Sequence, residues 1–183
     1  MSTGPNPVWQ RKSRDNIFLV GLMGAGKTSV GKLLAKRLDK AFCDSDQEIE
    51  RRTGVKIPVI FDIEGEAGFR TREAGVLAEL TARRNIVLAT GGGAVLREDN
   101  RKALVNNGAV VYLRASIDEL WNRMRHDRNR PLLQTADPRA KLDELLQQRD
   151  ALYRGVADVI VDTGNQSLRS LVQRLQLELD RQG

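Results

Sequence analysis

An apolar run, Ile17, Phe18, Leu19 and Val20, opens directly into Gly21-Leu-Met-Gly24-Ala-Gly26-Lys27-Thr28, and a helical pattern follows. No other feature restricts the fold of this chain as strongly. The pattern G-x-x-x-x-G-K-[ST] needs a strand that ends in a tight glycine turn and hands the chain to a helix. Glycines let the backbone curl so that successive N–H groups point at phosphate oxygens, and the helix adds its positive N-terminus. Lys27 then reaches the β- and γ-phosphates, and the Thr28 hydroxyl sits on Mg²⁺. Random placement of the same residues would match this pattern in roughly one such chain in two hundred. A site for the phosphates of ATP or GTP is therefore expected, with a ligand-free glycine turn as the bland alternative.

The rest of the chain fits the same architecture. Further strand patterns lie at 41–44, 86–90, 110–114 and 159–162, several of them continuous apolar runs of the kind buried on both faces. Helical patterns alternate with them at 27–38, 97–106, 116–125, 138–154 and 167–182, and a broken helical region spans 46–83. The last helix has an apolar stripe at Leu168, Leu171, Val172, Leu175 and Leu179. Strand and helix in alternation imply an α/β sandwich on a mostly parallel sheet. Residues 1–15 mix Gly, Pro, Ser and charge and read as a flexible extension in which Trp9 is the one large apolar residue able to dock, leaving residues 16–183 as a single domain.

Composition narrows the class of protein. With 183 residues, the chain suits one domain with its own core. Met1 to Asn16 carries no apolar stretch of the secretory kind, no run of about 18 apolar residues is present, and the single Cys43 excludes an internal disulfide framework. A cytoplasmic location without membrane contact is expected. The net charge of +6 comes from 22 Arg and 8 Lys against 24 acidic residues. It is compatible with a solvated surface, a nucleic-acid footprint or a site for small polyanions. An aromatic content of 4% speaks against a base-stacking platform.

Several residues are candidates for the chemistry beside the phosphate loop. The second strand ends Asp44-Ser-Asp46, and residues two apart on an extended segment share a side. Both carboxylates should emerge at the carboxyl edge of the sheet, where open α/β folds bind ligands, facing Lys27. They suit Mg²⁺ with its waters, or a substrate hydroxyl; capping the next helix is the alternative for either. Arg149 falls on the apolar face of its helix, seven residues after Leu142, so it has either an anionic partner or an escape to water along its stem. Arg70 borders a face made by Phe69, Glu73, Val76 and Leu80, and Arg70 and Glu73 could equally form a surface ion pair. The basic run holding Arg123, Arg125, Arg128 and Arg130 reads as a mobile segment closing over a nucleotide, with His126 incidental. Gly91, Gly92 and Gly93 after the third strand would let a backbone approach a ligand closely.

Taken in order, GLMGAGKTSVGK, FCDSDQEIE, IFDIEGEAGFRTRE, TGGGAV, RPLL and QQRDALY resemble the shikimate kinase family, in the nucleoside-monophosphate-kinase-like branch of phosphate-loop enzymes. The resemblance runs from about residue 16 to 180 and leaves the N-terminal extension unmatched. It implies a three-layer α/β/α sandwich with a five-stranded parallel sheet of order 2-3-1-4-5, and a mobile lid at about 121–138. It also implies a monomeric enzyme of aromatic amino acid (chorismate) biosynthesis that moves the γ-phosphoryl of ATP to the 3-hydroxyl of shikimate. Carried over by position, Gly24, Ala25, Gly26, Lys27, Thr28 and Ser29 would cradle ATP, and Thr28 and Asp44 would manage Mg²⁺. Asp46 would hold shikimate and orient or deprotonate the attacking hydroxyl, with Lys27 and Arg130 as its catalytic partners. Arg70 and Arg149 would clamp the carboxylate, and Gly91, Gly92 and Gly93 would line the ring. Arg130 would act from the lid, with Arg123 and Gln166 near the adenine. Another small-metabolite kinase, such as one for gluconate, is the nearest alternative. A silent ATP-binding or nucleic-acid module fits less well with Lys27, Thr28, Asp44, Asp46, Arg70 and Arg130 all in place.

Overall fold

In a computed structural model, which describes residues 15–182, seven helices and five strands alternate along the chain. Trp9 and all but the last residue of the expected extension lie outside the described residues. Strand β1 (Ile17–Val20) leads to α1 (Lys27–Leu38), β2 (Ala41–Asp44), α2 (Ser45–Thr53) and α3 (Ile57–Thr81). Then come β3 (Ile86–Ala89), α4 (Glu98–Asn107), β4 (Ala109–Arg114), α5 (Ile117–Met124), α6 (Pro138–Val156), β5 (Val159–Asp162) and α7 (Leu168–Arg181). The strands pair in parallel in the order β2-β3-β1-β4-β5, as the resemblance implied.

Burial explains which runs became strands. All four residues of β1 and of β3 are buried, as are the four central residues of β4, because helices cover both sheet faces there. The edge strand β5 alternates instead, with Val159 and Val161 inward and Ile160 and Asp162 outward. In α7, Leu171, Val172 and Leu175 enter the core, whereas Leu168 of the expected stripe lies in the first turn and is exposed.

The broken helical region is two helices, and the second is itself interrupted. Gly65 takes φ 72° and ψ 178° inside α3, a backbone that a side chain would resist. Glu64 before the break receives a two-pronged ion pair from Arg72 after it, at 2.7 and 2.6 Å, which ties the two halves together. The segment expected as a lid includes the end of α5 and the start of α6. Between them, residues 125–137 form an irregular connection with one short turn at Pro131–Leu133.

Candidate active site

The strand-to-helix turns at the carboxyl ends of β1, β2 and β3 supply the site. After β1, Gly24 and Gly26 adopt φ 83° and 93°, and at Gly24 a Cβ would also meet Met124 Cγ at 2.7 Å. Only glycine satisfies both demands. Helix α1 starts at Lys27 with no side-chain cap and no acidic residue in its first turn, whereas Asp44, Ser116, Asp137 and Ser167 cap α2, α5, α6 and α7. Helices α3 and α4 also lack a side-chain cap, but only the N-terminus of α1 follows the glycine turn, where it is open to an anion. Lys27 is buried there, and its Nζ donates to the carbonyls of Gly21 at 2.5 Å and Leu22 at 3.0 Å. Burial lowers its pKa to about 8, against the pull of Asp46. Ala25 is buried within the loop and Ser29 is exposed on the first turn.

Asp44 takes the capping role at this edge and also meets Thr28. Its Oδ1 accepts from the N–H of Asp46 and Gln47 at 3.0 and 3.1 Å, capping α2, while its Oδ2 accepts from the Thr28 hydroxyl at 3.0 Å. Asp46 reaches the same cleft for a different reason from strand alternation: it lies in the first turn of α2, which turns it inward. Burial, and then the neighbouring Asp44, push its carboxyl above the usual range.

Helices α3 and α6 bring the arginines. Arg70 Nη1 donates to Glu73 Oε1 at 3.0 Å, and its Nη2 donates to Glu66 Oε1 at 3.3 Å. This is no surface pair, since the Glu73 side chain has no solvent exposure and that of Arg70 has 13%. Burial raises the Glu73 pKa, opposed by Arg70. Arg149 is 3% exposed, so its guanidinium stays inside rather than escaping to water. Both arginines line one cavity, of about 490 Å³ counted to its open mouth, with Asp46, Glu73 and residues 91–93. Met23, Phe61, Phe69 and Leu132 give it an apolar wall.

Among the described residues, four buried side-chain polar atoms have no hydrogen-bond partner: Asp46 Oδ1, Glu73 Oε2, Arg70 Nε and Arg149 Nη1. All four residues line this cavity. Buried polar groups are ordinarily paired, so two acceptors and two cationic donors left open in one place describe a ligand with hydroxyls and a negative charge.

The glycine cluster has a further role beyond close approach to a ligand. A Cβ on Gly91 would stand 2.8 Å from Asp46 Oδ1 and 2.9 Å from Glu73 Oε2. On Gly92 it would crowd Met23 N at 3.3 Å and lie 3.6 Å from Arg149 Nη1, and on Gly93 it would overlap the Arg70 guanidinium. Gly91 and Gly93 therefore make room for charged side chains of the site, and Gly92 for the phosphate-loop backbone at Met23.

The remaining expected residues are distributed around this centre. Arg130 lines the cavity, where Asp127 Oδ2 accepts from its Nε at 3.3 Å. Arg123 lies over the phosphate loop, donating from Nη1 to the Gly24 carbonyl at 2.9 Å. Gln166, in the turn after β5, returns its amide to the Asp162 carbonyl at 2.8 Å and is not part of the cavity wall. His126 is exposed and outside it. Glu73 was visible in the sequence only as the residue three after Arg70 on an apolar face. Its burial was the missing information.

Comparison with known proteins bears on the same segments. The family profile "Shikimate kinase" matches residues 23–180. A shikimate kinase of Chromobacterium violaceum is 63% identical over 164 residues, covering 90% of this chain and 89% of that protein. One from Nitrosospira multiformis is 62% identical, with 92% and 87% covered. Among solved structures, the shikimate kinase from Acinetobacter baumannii in complex with shikimate superimposes with a TM-score of 0.89 at 52% identity, covering 93% of this chain and 96% of that one. A gluconokinase from Sinorhizobium meliloti, with a TM-score of 0.58 and 20% identity, shares the fold alone. With a profile match over most of its length, relatives above 60% identity, and a sheet order and phosphate loop of the same kind, the chain belongs to the shikimate kinase family.

Proposed function

We propose that the protein transfers the γ-phosphoryl group of ATP to the 3-hydroxyl of shikimate, giving 3-phosphoshikimate and ADP. The observation that carries this reading is the set of four unpartnered buried atoms in one cavity. Shikimate has what they lack: a carboxylate for the free N–H groups of Arg70 and Arg149, and ring hydroxyls for Asp46 and Glu73. Arginine suits the carboxylate because its planar fork offers two parallel donors.

In the reaction a bond forms between the substrate oxygen and the γ-phosphorus, and the bond from that phosphorus to the β,γ-bridging oxygen breaks. Asp46 Oδ1 accepts the proton of the attacking hydroxyl, and ADP leaves with the electron pair. Burial raises the pKa of Asp46, which makes its carboxylate a stronger base than that of an exposed aspartate. Lys27 and the uncapped N-terminus of α1 hold the phosphates, with Gly24, Ala25, Gly26, Thr28 and Ser29 forming the cradle. Arg130 adds positive charge from the cavity mouth, and removal of one such donor typically costs 10²–10³ in turnover. Arg123 covers the loop from α5, and Gln166 stands near the base of the nucleotide.

Thr28 and Asp44 fit Mg²⁺. Their oxygens already meet at 3.0 Å, and no cluster of three or more His, Cys, Asp or Glu among the described residues could hold an ion alone. That scarcity matches an ion held by one or two protein oxygens, waters and substrate phosphates. Held by Thr28 and Asp44, it would neutralise charge that develops on phosphoryl transfer.

The test is ADP release measured with shikimate present and absent, together with phosphorus and proton spectra of the product. Shikimate-dependent ADP and a phosphate ester at the 3-position are expected. ADP release that ignores shikimate, or an ester at another hydroxyl, would overturn the proposal.

A further inference from the structure

Helix α6 carries Arg149 and Tyr153 one turn apart, and both are buried. Tyr153 does not line the cavity, yet it is fixed at both ends. Its ring packs on Tyr112 with centroids 5.0 Å apart, and the Tyr112 hydroxyl is anchored on Asp150 Oδ1 at 2.8 Å. Its own hydroxyl donates to the Gly92 carbonyl at 2.5 Å. Burial pushes the Tyr153 phenol up to about 12, and the Arg149 guanidinium beside it pulls the other way.

The Gly92–Gly93 peptide is the same one on which the second arginine depends. A Cβ on Gly93 would overlap the Arg70 guanidinium, so Arg70 rests directly against this stretch of backbone. Arg149 Nη1 lies 3.6 Å from the Cβ position of Gly92, one residue earlier. A peptide unit is planar, so a carbonyl held by Tyr153 fixes the plane and turns the Gly93 N–H the opposite way. One hydroxyl therefore holds the stretch of backbone that Arg70 lies against and that Arg149 Nη1 stands beside.

Resting on the proposed function, we propose that the Tyr153 hydroxyl is a positioning group that sets the spacing of the anion clamp, by joining Arg149 to the peptide against which Arg70 lies. It touches no reacting atom. Without it, both arginines would still be present, but the distance between their free N–H groups would no longer be set to the width of one carboxylate. A misplacement of about 1 Å in such a pair can cost on the order of 10²-fold.

The experiment compares Tyr153→Phe with the parent protein on shikimate and on its neutral primary amide, which keeps the ring hydroxyls and lacks the charge. The parent's turnover of shikimate tests the proposed function itself, and its absence would fault that reading rather than this one. In Tyr153→Phe, kcat/KM for shikimate should fall by about tenfold or more, with the amide and the KM for ATP changing less than twofold. In an Arg149→Lys background, which removes the fork, the same substitution should have almost no effect. Tyr112→Phe, which cuts the Asp150 anchor and leaves the Tyr153 hydroxyl in place, should match the parent. Equal losses on shikimate and amide, an undiminished effect in the Arg149→Lys background, or no loss at all would overturn the inference. So would a Tyr153→Phe chain that does not fold, because the hydroxyl would then serve the stability of the domain.

Discussion

Replacing Gly93 by alanine adds one methyl group, and the structure says where it goes. The new Cβ overlaps the guanidinium of Arg70, the far end of a flexible side chain, so Arg70 should move while the backbone stays. Gly93 has φ −95°, which alanine adopts freely, so the effect should come from this overlap rather than from backbone strain. Two losses follow. The substrate carboxylate keeps Arg149 but loses a charged hydrogen bond worth about 1.5–3 kcal/mol, a fall of roughly 10- to 150-fold in kcat/KM for shikimate. Glu73, fully buried, loses the cation that holds its raised pKa down, so the pKa climbs further. A carboxyl whose folded pKa lies above its unfolded value favours the fold while protonated, and that contribution is lost as pH rises through the folded value. The melting temperature of Gly93→Ala should therefore lie further below that of the parent at pH 8 than at pH 5. Steady-state kinetics with each substrate varied, and thermal melts at both pH values, test the two halves separately. Unchanged kcat/KM for shikimate, or an equal rise in KM for ATP, would refute the argument that Gly93 makes room for Arg70.

Two further substitutions address the other parts of the cleft. Asp46→Asn keeps the shape and removes the base, so kcat should drop by about 10²–10⁴ while the KM for ATP changes little; rapid-quench measurement of the chemical step would show whether the loss lies there. Thr28→Val removes a hydroxyl that meets Asp44 at 3.0 Å, and a Mg²⁺ titration of the rate should then need several-fold more metal for half-maximal activity.

Much of this fold was legible because burial on both sheet faces leaves a plain mark. The apolar runs at 17–20 and 86–89 are strands for that reason, and the glycine loop after the first can only sit between a strand and a helix. The site was legible in its members more than in its logic. Asp44 and Asp46 were expected side by side through strand alternation. Instead one ends β2 and the other begins α2, and the cap formed by Asp44 is what places them together. Gly91, Gly92 and Gly93 were read as an approach to a ligand, whereas the volume that Gly91 and Gly93 leave free also belongs to Asp46, Glu73 and Arg70. A pair three residues apart on a helix looks the same in sequence whether it faces water or the core. That is why Glu73 was legible only as a possible surface partner of Arg70, and why only the packing of the chain shows Arg70, Glu73 and Arg149 lining one cavity. The excess positive charge has a local meaning as well: Arg70, Arg130 and Arg149 line one cavity and Arg123 lies over the adjoining loop.

The central claim is that this cleft selects a carboxylated ring with hydroxyls as acceptor of the ATP phosphoryl group. Its most direct test is kcat/KM from ADP release across shikimate, gluconate and the nucleoside monophosphates under one set of conditions. Shikimate should exceed every other acceptor by at least 10³-fold, because a site whose buried polar groups are left unpaired by the wrong ligand rejects it by about 10⁴–10⁵. Gluconate or a nucleoside monophosphate turned over as well as shikimate would contradict it.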